Sequence, residues 1–163
     1  MSPAPPQDRL RCTSALERSL RRRGFRYVAG TDEAGRGSLF GPVVAAAVVL
    51  DPSQPVRGLN DSKQLDPGIR AALDTAIRAT AVAWAIGHAS AEEIDRINIL
   101  EASRLAMRRA VAQLDPPCDY LLSDAVAVDW PVPQRALIKG DARVRAIAAA
   151  SILAKVERDR RLA

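Results

Sequence analysis

The sequence of 163 residues has few of the residue types that build disulfide frameworks or zinc sites. It contains two cysteines, Cys12 and Cys118, which form no C-x-x-C pair, and a single histidine, His88. Two isolated cysteines favour free thiols in a reducing compartment. A lone histidine without a partner motif is more often structural than catalytic. These scarcities disfavour a disulfide-stabilised secreted protein.

Long apolar runs are also missing from the sequence. No segment is long enough to span a membrane, and the N-terminus lacks the apolar core of a signal peptide. We therefore expect a cytoplasmic protein without a membrane partner. The length and the hydrophobic content of 48% suit one folded domain with a substantial core, and we expect a monomer.

Positive charge is in excess, with 24 lysines and arginines against 19 acidic residues. Most of the excess is arginine, which pairs well with phosphate, so a polyanionic partner fits, although a basic pI alone is weak evidence. Residues 1–26 form a basic N-terminal extension, in which the proline-rich stretch Met1 to Asp8 is expected to be disordered. The segment Arg9 to Arg26 predicts a solvated helix or, alternatively, a direct contact with nucleic acid.

The chain is organised around the stretch YVAGTDEAGRGSLFGPVVAAAVVL, which begins at Tyr27. An apolar strand over 26–31 leads to the adjacent carboxylates Asp32 and Glu33, a glycine-rich loop follows, and a second strand over 42–50 completes a hairpin. Carboxylates suit a divalent cation, and glycines let a phosphate backbone come close. Because strand side chains alternate between faces, this pair can share one site only at a strand end or a bulge.

The remaining segments alternate between helical and extended patterns. Apolar periodicity and turn residues predict, in order, a helix over 67–80, a strand over 81–86, a helical region from the Ser90 to Glu93 capping box to Pro116, strands over 119–123 and 134–138, and one long helix from Gly140. The apolar positions of the helical region that ends at Pro116, Ile97 and Leu100 among them, are expected to be core residues.

Two further carboxylates occupy informative positions. Asp124 follows a buried strand, where an aspartate is a site candidate but more often a turn residue. Asp141, Ser151 and Lys155 fall on one face of the long helix, with Asp141 and Lys155 about 21 Å apart at 1.5 Å per residue. On this basis Asp141 and Lys155 could not hold the same phosphate.

Five segments together resemble the ribonuclease HII family, also called type 2 ribonuclease H. In family order between Tyr27 and Arg160 they are GTDEAGRGSLFGPVVAAAVVL, NDSK, HASAEEIDRINILEASRLAM, DYLLSDA and IKGDARVRAIAAASILAKVERDR. The resemblance implies an α/β ribonuclease H-like fold over residues 27–163. This fold has a central mixed five-stranded sheet, with the first three strands antiparallel, flanked by helices.

The same resemblance implies roles for individual residues. Four carboxylates match the metal-binding and catalytic positions, namely Asp32, Glu33, Asp124 and Asp141. The ribonucleotide-reading segment matches Gly35, Arg36 and Gly37, and further substrate contacts match Lys63, Ser151 and Lys155. The alternative for the glycines is that they only shape a tight turn. Ala125 stands where many relatives have glycine, a minor departure.

The activity that the resemblance implies is endonucleolytic hydrolysis on the 5′ side of a ribonucleotide, in RNA·DNA hybrids or in duplex DNA, leaving 3′-hydroxyl and 5′-phosphate ends. Oxygen ligands without histidine or cysteine favour two Mg²⁺ or Mn²⁺ ions over zinc, and two such ions about 4 Å apart support this chemistry. Relatives continue beyond Ala163 into a tyrosine-bearing segment, so the alternative is a C-terminally truncated fragment that only binds duplexes. Another ribonuclease H-like nuclease, such as a transposase or resolvase, is disfavoured by the Gly35 to Gly37 segment.

Overall fold

The computed structural model describes residues 11–37, 41–60 and 65–162, so the expected disorder of Met1 to Asp8 concerns residues outside the described part. Helices and strands follow one another as α1 (Ala15–Arg22), β1 (Val28–Ala34), β2 (Val43–Val49), α2 (Pro67–Thr80), β3 (Ala83–Ala89), α3 (Ala91–Ile97), α4 (Ile99–Ala112), β4 (Tyr120–Asp124), β5 (Gln134–Leu137) and α5 (Arg145–Leu162). All five predicted strands are present, with bounds shifted by up to three residues.

The strands form one sheet in the order β3-β2-β1-β4-β5. β2 pairs antiparallel with β1 and with β3, whereas β4 pairs parallel with β1 and with β5. The predicted mixed sheet with three antiparallel leading strands is confirmed. Every residue of β2 is buried, because its unbroken run of valine and alanine lies between β3 and β1 with both faces of the sheet covered.

Helices cover both faces of the sheet. α4 packs on one face with the large core cluster that includes Met107 and Leu121, and α5 lies on the other face with α1 and α2 beside it. A Cβ atom at Gly30 of β1 would collide with the backbone of Ala146 in α5. The absence of a side chain at Gly30 therefore lets α5 lie directly on the central strand.

The middle of α5 is buried on all sides, from Ala146 to Ala154. A helix that is apolar all round belongs in a protein interior or a membrane. None of the helices in the described part of the chain has the length and apolar character needed to cross a bilayer. The composition of α5 thus reflects its position between the sheet and the outer helices.

The single long helix predicted from Gly140 is wrong. Gly140–Ala142 form a short 3₁₀ turn, and α5 begins only at Arg145. The backbone between the 3₁₀ turn and α5 is hydrogen-bonded to the N-terminal segment. The Thr13 N–H donates to the Arg143 carbonyl, and the Arg145 N–H donates to the Thr13 carbonyl. These bonds form a bridge between Thr13 and Val144, so α5 begins only at the next residue, Arg145.

The helical region after β3 is also divided in two. The capping box is confirmed, because the Ser90 and Glu93 side chains each bond the other's backbone N–H. The chain then breaks at Asn98, which has φ +82° and caps α4 by accepting from the Glu101 N–H. This break turns Ile97 and Leu100 outward to 38% and 40% exposure, so the prediction that both are core residues is wrong.

The basic N-terminal segment contains α1, which is not solvated on all sides. Leu20 packs against β1, β4 and α5, and the carboxylate of Glu17 accepts a hydrogen bond from the Ala146 N–H at the start of α5. The expectation of a solvated helix therefore holds only for its arginine-rich outer face. The buried face of α1 could not be recognised from the sparse apolar residues, because one of its two buried residues is Glu17.

Candidate active site

Three carboxylates meet at one end of the sheet, on the face that α5 covers. Thr31 of β1 pairs with Ser123 of β4, so Asp32 and Asp124 occupy neighbouring positions on parallel strands and point to the same face. Asp141 joins them from the 3₁₀ turn. Carboxylate oxygens of these three residues all lie within 4.8 Å of one another, so they are close enough to share one bound cation.

The turn that carries Asp141 is fixed to β4 by a side-chain bond. The Gly140 N–H donates to Oδ1 of Asp124 at 2.9 Å, and Lys139 has a left-handed backbone with φ +55°. The chain therefore reverses sharply after β5 and brings Asp141 back over the end of β4. Although the prediction placed Asp141 on a helix, the structure brings it to the other two aspartates by this turn.

Glu33 is not one of the three carboxylates whose oxygens lie within 4.8 Å of one another. β1 continues through Ala34 with an unbroken register opposite β2, so the bulge that the sequence left open is not found there. The Cα–Cβ bonds of Asp32 and Glu33 therefore leave opposite faces of β1, although the Glu33 carboxyl group still interacts with that of Asp32. Its position near the strand end still lets it line the same cleft. Its Oε2 atom is buried and, among the described residues, has no hydrogen-bond partner, whereas Oε1 lies 3.9 Å from Nη1 of Arg36.

The acidic residues make a site of concentrated negative charge. Burial raises the pKa of Asp32 well above its ordinary range, and the negative charges of Glu33, Asp124 and Asp141 raise it further. Burial also raises the pKa of Glu33. Clustered carboxylates of this kind are destabilised unless a proton or a cation neutralises them. The available ligands are all carboxylate oxygens, and Oε2 of Glu33 beside them has no hydrogen-bond partner among the described residues. A set of oxygen ligands fits a hard divalent cation such as Mg²⁺ or Mn²⁺.

The carboxylates form the floor of an open cleft of about 590 Å³. All nine predicted site residues that the structure describes line this cleft. They are Asp32, Glu33, Gly35, Arg36, Gly37, Asp124, Asp141, Ser151 and Lys155. The tenth, Lys63, lies outside the described residues.

One wall of the cleft comes from α5. Ser151 is 5% exposed, and Lys155, one turn later, is paired with Asp159 through an Nζ to Oδ1 distance of 3.2 Å. Because Asp141 lies before the helix and not on it, the 21 Å spacing calculated along one helix does not apply. Asp141 and Lys155 line the same cleft, so both can face one substrate.

The opposite wall is the loop after β1. Gly35 and Gly41 have φ values of +96° and +82°, which favour glycine. Gly37 differs from them, since a Cβ atom there would have no neighbour within 4 Å among the residues that the structure describes. Neither a positive φ nor protein packing explains a glycine at position 37, whereas close approach of a ligand would explain it.

Three residues that line the cleft were not identified from the sequence, namely Ala34, Arg70 and Ile99. Arg70 of α2 lines the cleft, and its Nη1 donates to the Leu65 carbonyl at 2.7 Å. Ile99 also faces the cleft, since the break at Asn98 changes the direction of the chain there. Arg70 could have been found from the sequence, because it is an arginine in the first turn of a helix that follows a candidate substrate loop. Ile99 could not, because apolar periodicity alone does not mark it as a site residue.

Comparisons with known proteins agree with this arrangement. The sequence profile of the family described as Ribonuclease HII matches residues 29–163. Ribonuclease HII of Solibacter usitatus is 61% identical over 159 residues, which cover 98% of this chain and 70% of that protein.

Solved structures show the same fold. The crystal structure of ribonuclease H2 from Pyrococcus horikoshii OT3 superposes with a TM-score of 0.72 at 31% identity, over 84% of this chain and 74% of that one. Archaeoglobus fulgidus RNase HII, solved in a complex with PCNA, superposes equally well at 29% identity, over 84% of this chain and 75% of that one. The sheet and its flanking helices are thus a ribonuclease H-like fold, and the chain belongs to the ribonuclease HII family of endoribonucleases.

Proposed function

We propose that this protein is a metal-dependent endonuclease that cuts on the 5′ side of a ribonucleotide, in RNA·DNA hybrids or in duplex DNA. The observation that carries the proposal is the cluster of Asp32, Asp124 and Asp141 on the floor of a cleft bordered by a glycine loop. The family name of its relatives supports the same reaction class.

The three aspartates, with Glu33 beside them, would hold the divalent ions. When bound, Mg²⁺ or Mn²⁺ ions in such a site supply an activated water and neutralise charge at the scissile phosphate, leaving 3′-hydroxyl and 5′-phosphate ends. The orphaned Oε2 of Glu33 faces no protein donor among the described residues, so it can take part in cation binding without breaking an existing hydrogen bond. No side chain of the cleft is required as a general base.

The loop from Gly35 to Gly37 would select the sugar. Ribose differs from deoxyribose only in the 2′-hydroxyl, so selection requires a hydrogen-bonding group at that atom. The open space above Gly37 lets a sugar reach the loop backbone, whose amides and carbonyls can bond the hydroxyl. The Arg36 side chain is 42% exposed and can contact a flanking phosphate.

The remaining cleft residues would hold the sugar-phosphate backbone. The ion pair of Lys155 with Asp159 is exposed on both sides, at 38% and 50%, and such pairs are weak. Lys155 can therefore turn to a phosphate at little cost. Ser151, Arg70 and, outside the described residues, Lys63 are the further contacts that we propose.

The test is cleavage of a duplex with one embedded ribonucleotide in the presence of Mg²⁺ or Mn²⁺. Asp32→Asn should lower cleavage by at least about 100-fold, because one charge that holds the ion is lost. The matched control is Asp129→Asn, the same change at a side chain that is 85% exposed, which should cut like the wild type. Undiminished cutting by Asp32→Asn would refute the metal assignment, and a wild-type chain that binds this duplex without cutting it would favour the alternative of a duplex-binding protein.

A further inference from the structure

Arg158 is a buried arginine on the helix that forms one wall of the cleft. It follows Ser151 and Lys155 at steps of four and three residues, so the three side chains lie on one face of α5. Unlike Lys155, Arg158 is only 7% exposed. Its Nε–H donates to the backbone carbonyl of Pro42 at 3.1 Å, which lies between the glycine loop and β2.

The Arg158 side chain fills the space that a side chain at Gly35 would need. A Cβ atom there would collide with Nε of Arg158, would lie 2.8 Å from its Cδ, and would lie equally close to the Pro42 carbonyl oxygen. At the other end of the loop, a Cβ atom at Gly41 would lie 3.6 Å from Nη2 of Arg158 and 2.9 Å from Cδ2 of Leu162. Both ends of the loop therefore rest on the last turns of α5, and Arg158 contacts both.

We propose that Arg158 is a positioning residue that sets the height of the Gly35 to Gly37 segment above the carboxylates, and thereby the preference for ribose. This proposal rests on the proposed function of the same site. A hydrogen bond to a 2′-hydroxyl requires a distance within a few tenths of an ångström, so the position of the Gly35 to Gly37 segment has to be fixed by contacts with the rest of the fold. The Nε–H bond to the Pro42 carbonyl fixes the end of the loop that leads into β2. The Arg158 side chain, which packs against Gly35 through Cδ and Nε, fixes the end of the loop that follows β1.

Two substitutions separate the Nε–H bond from the positive charge. In Arg158→Gln the amide nitrogen takes the position of Nε and keeps an N–H there, without charge. In Arg158→Lys the charge is kept, but a methylene group replaces Nε–H. We expect Arg158→Lys to raise KM for the ribonucleotide duplex by about tenfold with little change in kcat, whereas Arg158→Gln stays closer to the wild type.

The second measurement does not depend on catalysis. Hydrogen exchange of the backbone amides of residues 35–37 and of Gly41 and Val43 should be about tenfold faster in Arg158→Lys than in the wild type, and slower in Arg158→Gln than in Arg158→Lys. Amides of β4 and of the middle of α5 should be unchanged. This pattern would stand even if the wild-type chain cut nothing, so failure of the nuclease proposal and failure of the positioning proposal are distinguishable.

Arg161→Lys is the matched control, since Arg161 lies on the same helix and its side chain is 37% exposed beside Glu157. It should change neither KM nor exchange in the loop. Thermal unfolding of each variant shows that the fold is intact. The positioning role is overturned if Arg158→Lys matches the wild type in KM and in hydrogen exchange of the loop. It is also overturned if Arg158→Lys has a lower KM and slower exchange than Arg158→Gln.

Discussion

Glu17 shows how one buried carboxyl group can make stability depend on pH. Its carboxylate accepts from the Ala146 N–H at 3.3 Å and lies 3.9 Å from Arg21. Both contacts favour the charged form, but burial outweighs them and raises the pKa of Glu17. Glu17 therefore binds its proton more tightly in the folded state than in the unfolded chain.

The consequence is a loss of stability as pH rises. A raised folded-state pKa means that stability falls between the ordinary glutamate pKa and the raised value, and stays lower above it. Since glutamine does not ionise, the free energy of unfolding of the wild type should fall relative to that of Glu17→Gln as pH rises above the ordinary glutamate pKa, until the raised pKa of Glu17 is passed. The difference amounts to about 1.4 kcal/mol for each unit by which the pKa is raised.

Urea unfolding of both proteins at several pH values measures this difference. Glu92→Gln, a similar change at an exposed glutamate in the first turn of α3, is the control and should show no comparable trend. A constant difference between the wild type and Glu17→Gln at all pH values would contradict the burial argument.

Gly37→Ala tests sugar selection with little effect on the fold. No atom of the described part of the chain lies within 4 Å of the added methyl group, so the free energy of unfolding should change by less than about 0.5 kcal/mol. The methyl group would hold a sugar away from the loop, so affinity for a duplex containing a ribonucleotide should fall more than affinity for an all-DNA duplex. Fluorescence anisotropy with both duplexes checks this, and equal losses would count against the role in ribose selection.

At the scale of single residues, the sequence located most of the site but not its internal geometry. The carboxylates Asp32 and Asp124 could be found because each follows a run of apolar strand residues. The position of the Glu33 carboxylate could not be found, because strand alternation starts its side chain on the opposite face from Asp32, and only the structure shows that it reaches the same cleft at the end of the strand. Arg70 and Ile99 lie in the cleft because of the three-dimensional course of the backbone. Local sequence patterns do not predict that course.

At the scale of secondary structure, the position of α5 depends on one glycine of the central strand. Gly30→Ala should destabilise the fold by about 3 kcal/mol or more, because the methyl group would collide with backbone atoms of Ala146 that cannot move aside. Urea unfolding measures the effect. Gly37→Ala is the matched control, since it adds the same methyl group to open space, and equal stability of the two variants would contradict direct packing of α5 on β1.

Helix and strand types followed from the sequence, whereas two helix boundaries did not. Short apolar runs bounded by glycine, proline or aspartate, such as the valine and alanine run of β2, are enough to predict the strands. The start of α5 is set by pairing of Val144 with Thr13, more than 130 residues earlier in the chain, and no local signal reports a contact of that range. The break at Asn98 has a local cause in its φ of +82°, yet asparagine also occurs within helices.

At the scale of the whole molecule, the fold brings together carboxylates from three separate segments of the chain. Asp32 and Asp124 come from parallel neighbours β1 and β4, and Asp141 comes from the turn before α5. These segments lie far apart in the unfolded chain, so it cannot offer the same cluster to a cation. A cation that binds the cluster therefore stabilises the folded state as a whole.

Addition of Mg²⁺ or Mn²⁺ should consequently raise the midpoint of thermal unfolding. At a concentration about 100 times the dissociation constant, binding contributes about 2.7 kcal/mol, which corresponds to a shift of about 5 to 10 °C for a chain of this size. A chelator should reverse the shift. Differential scanning calorimetry with and without the ion measures it.

Asp32→Asn should abolish most of this shift, while Asp129→Asn should retain it. Without a divalent ion, Asp32→Asn should be at least as stable as the wild type, because the amide removes one of four clustered negative charges and its oxygen can still accept from the Glu33 N–H, which bonds Oδ1 of Asp32 at 2.8 Å. A residue that served only the fold would show the opposite sign, a loss of stability whether or not the ion is present. A wild-type protein whose unfolding is insensitive to both ions would remove the basis for a metal site at these three aspartates.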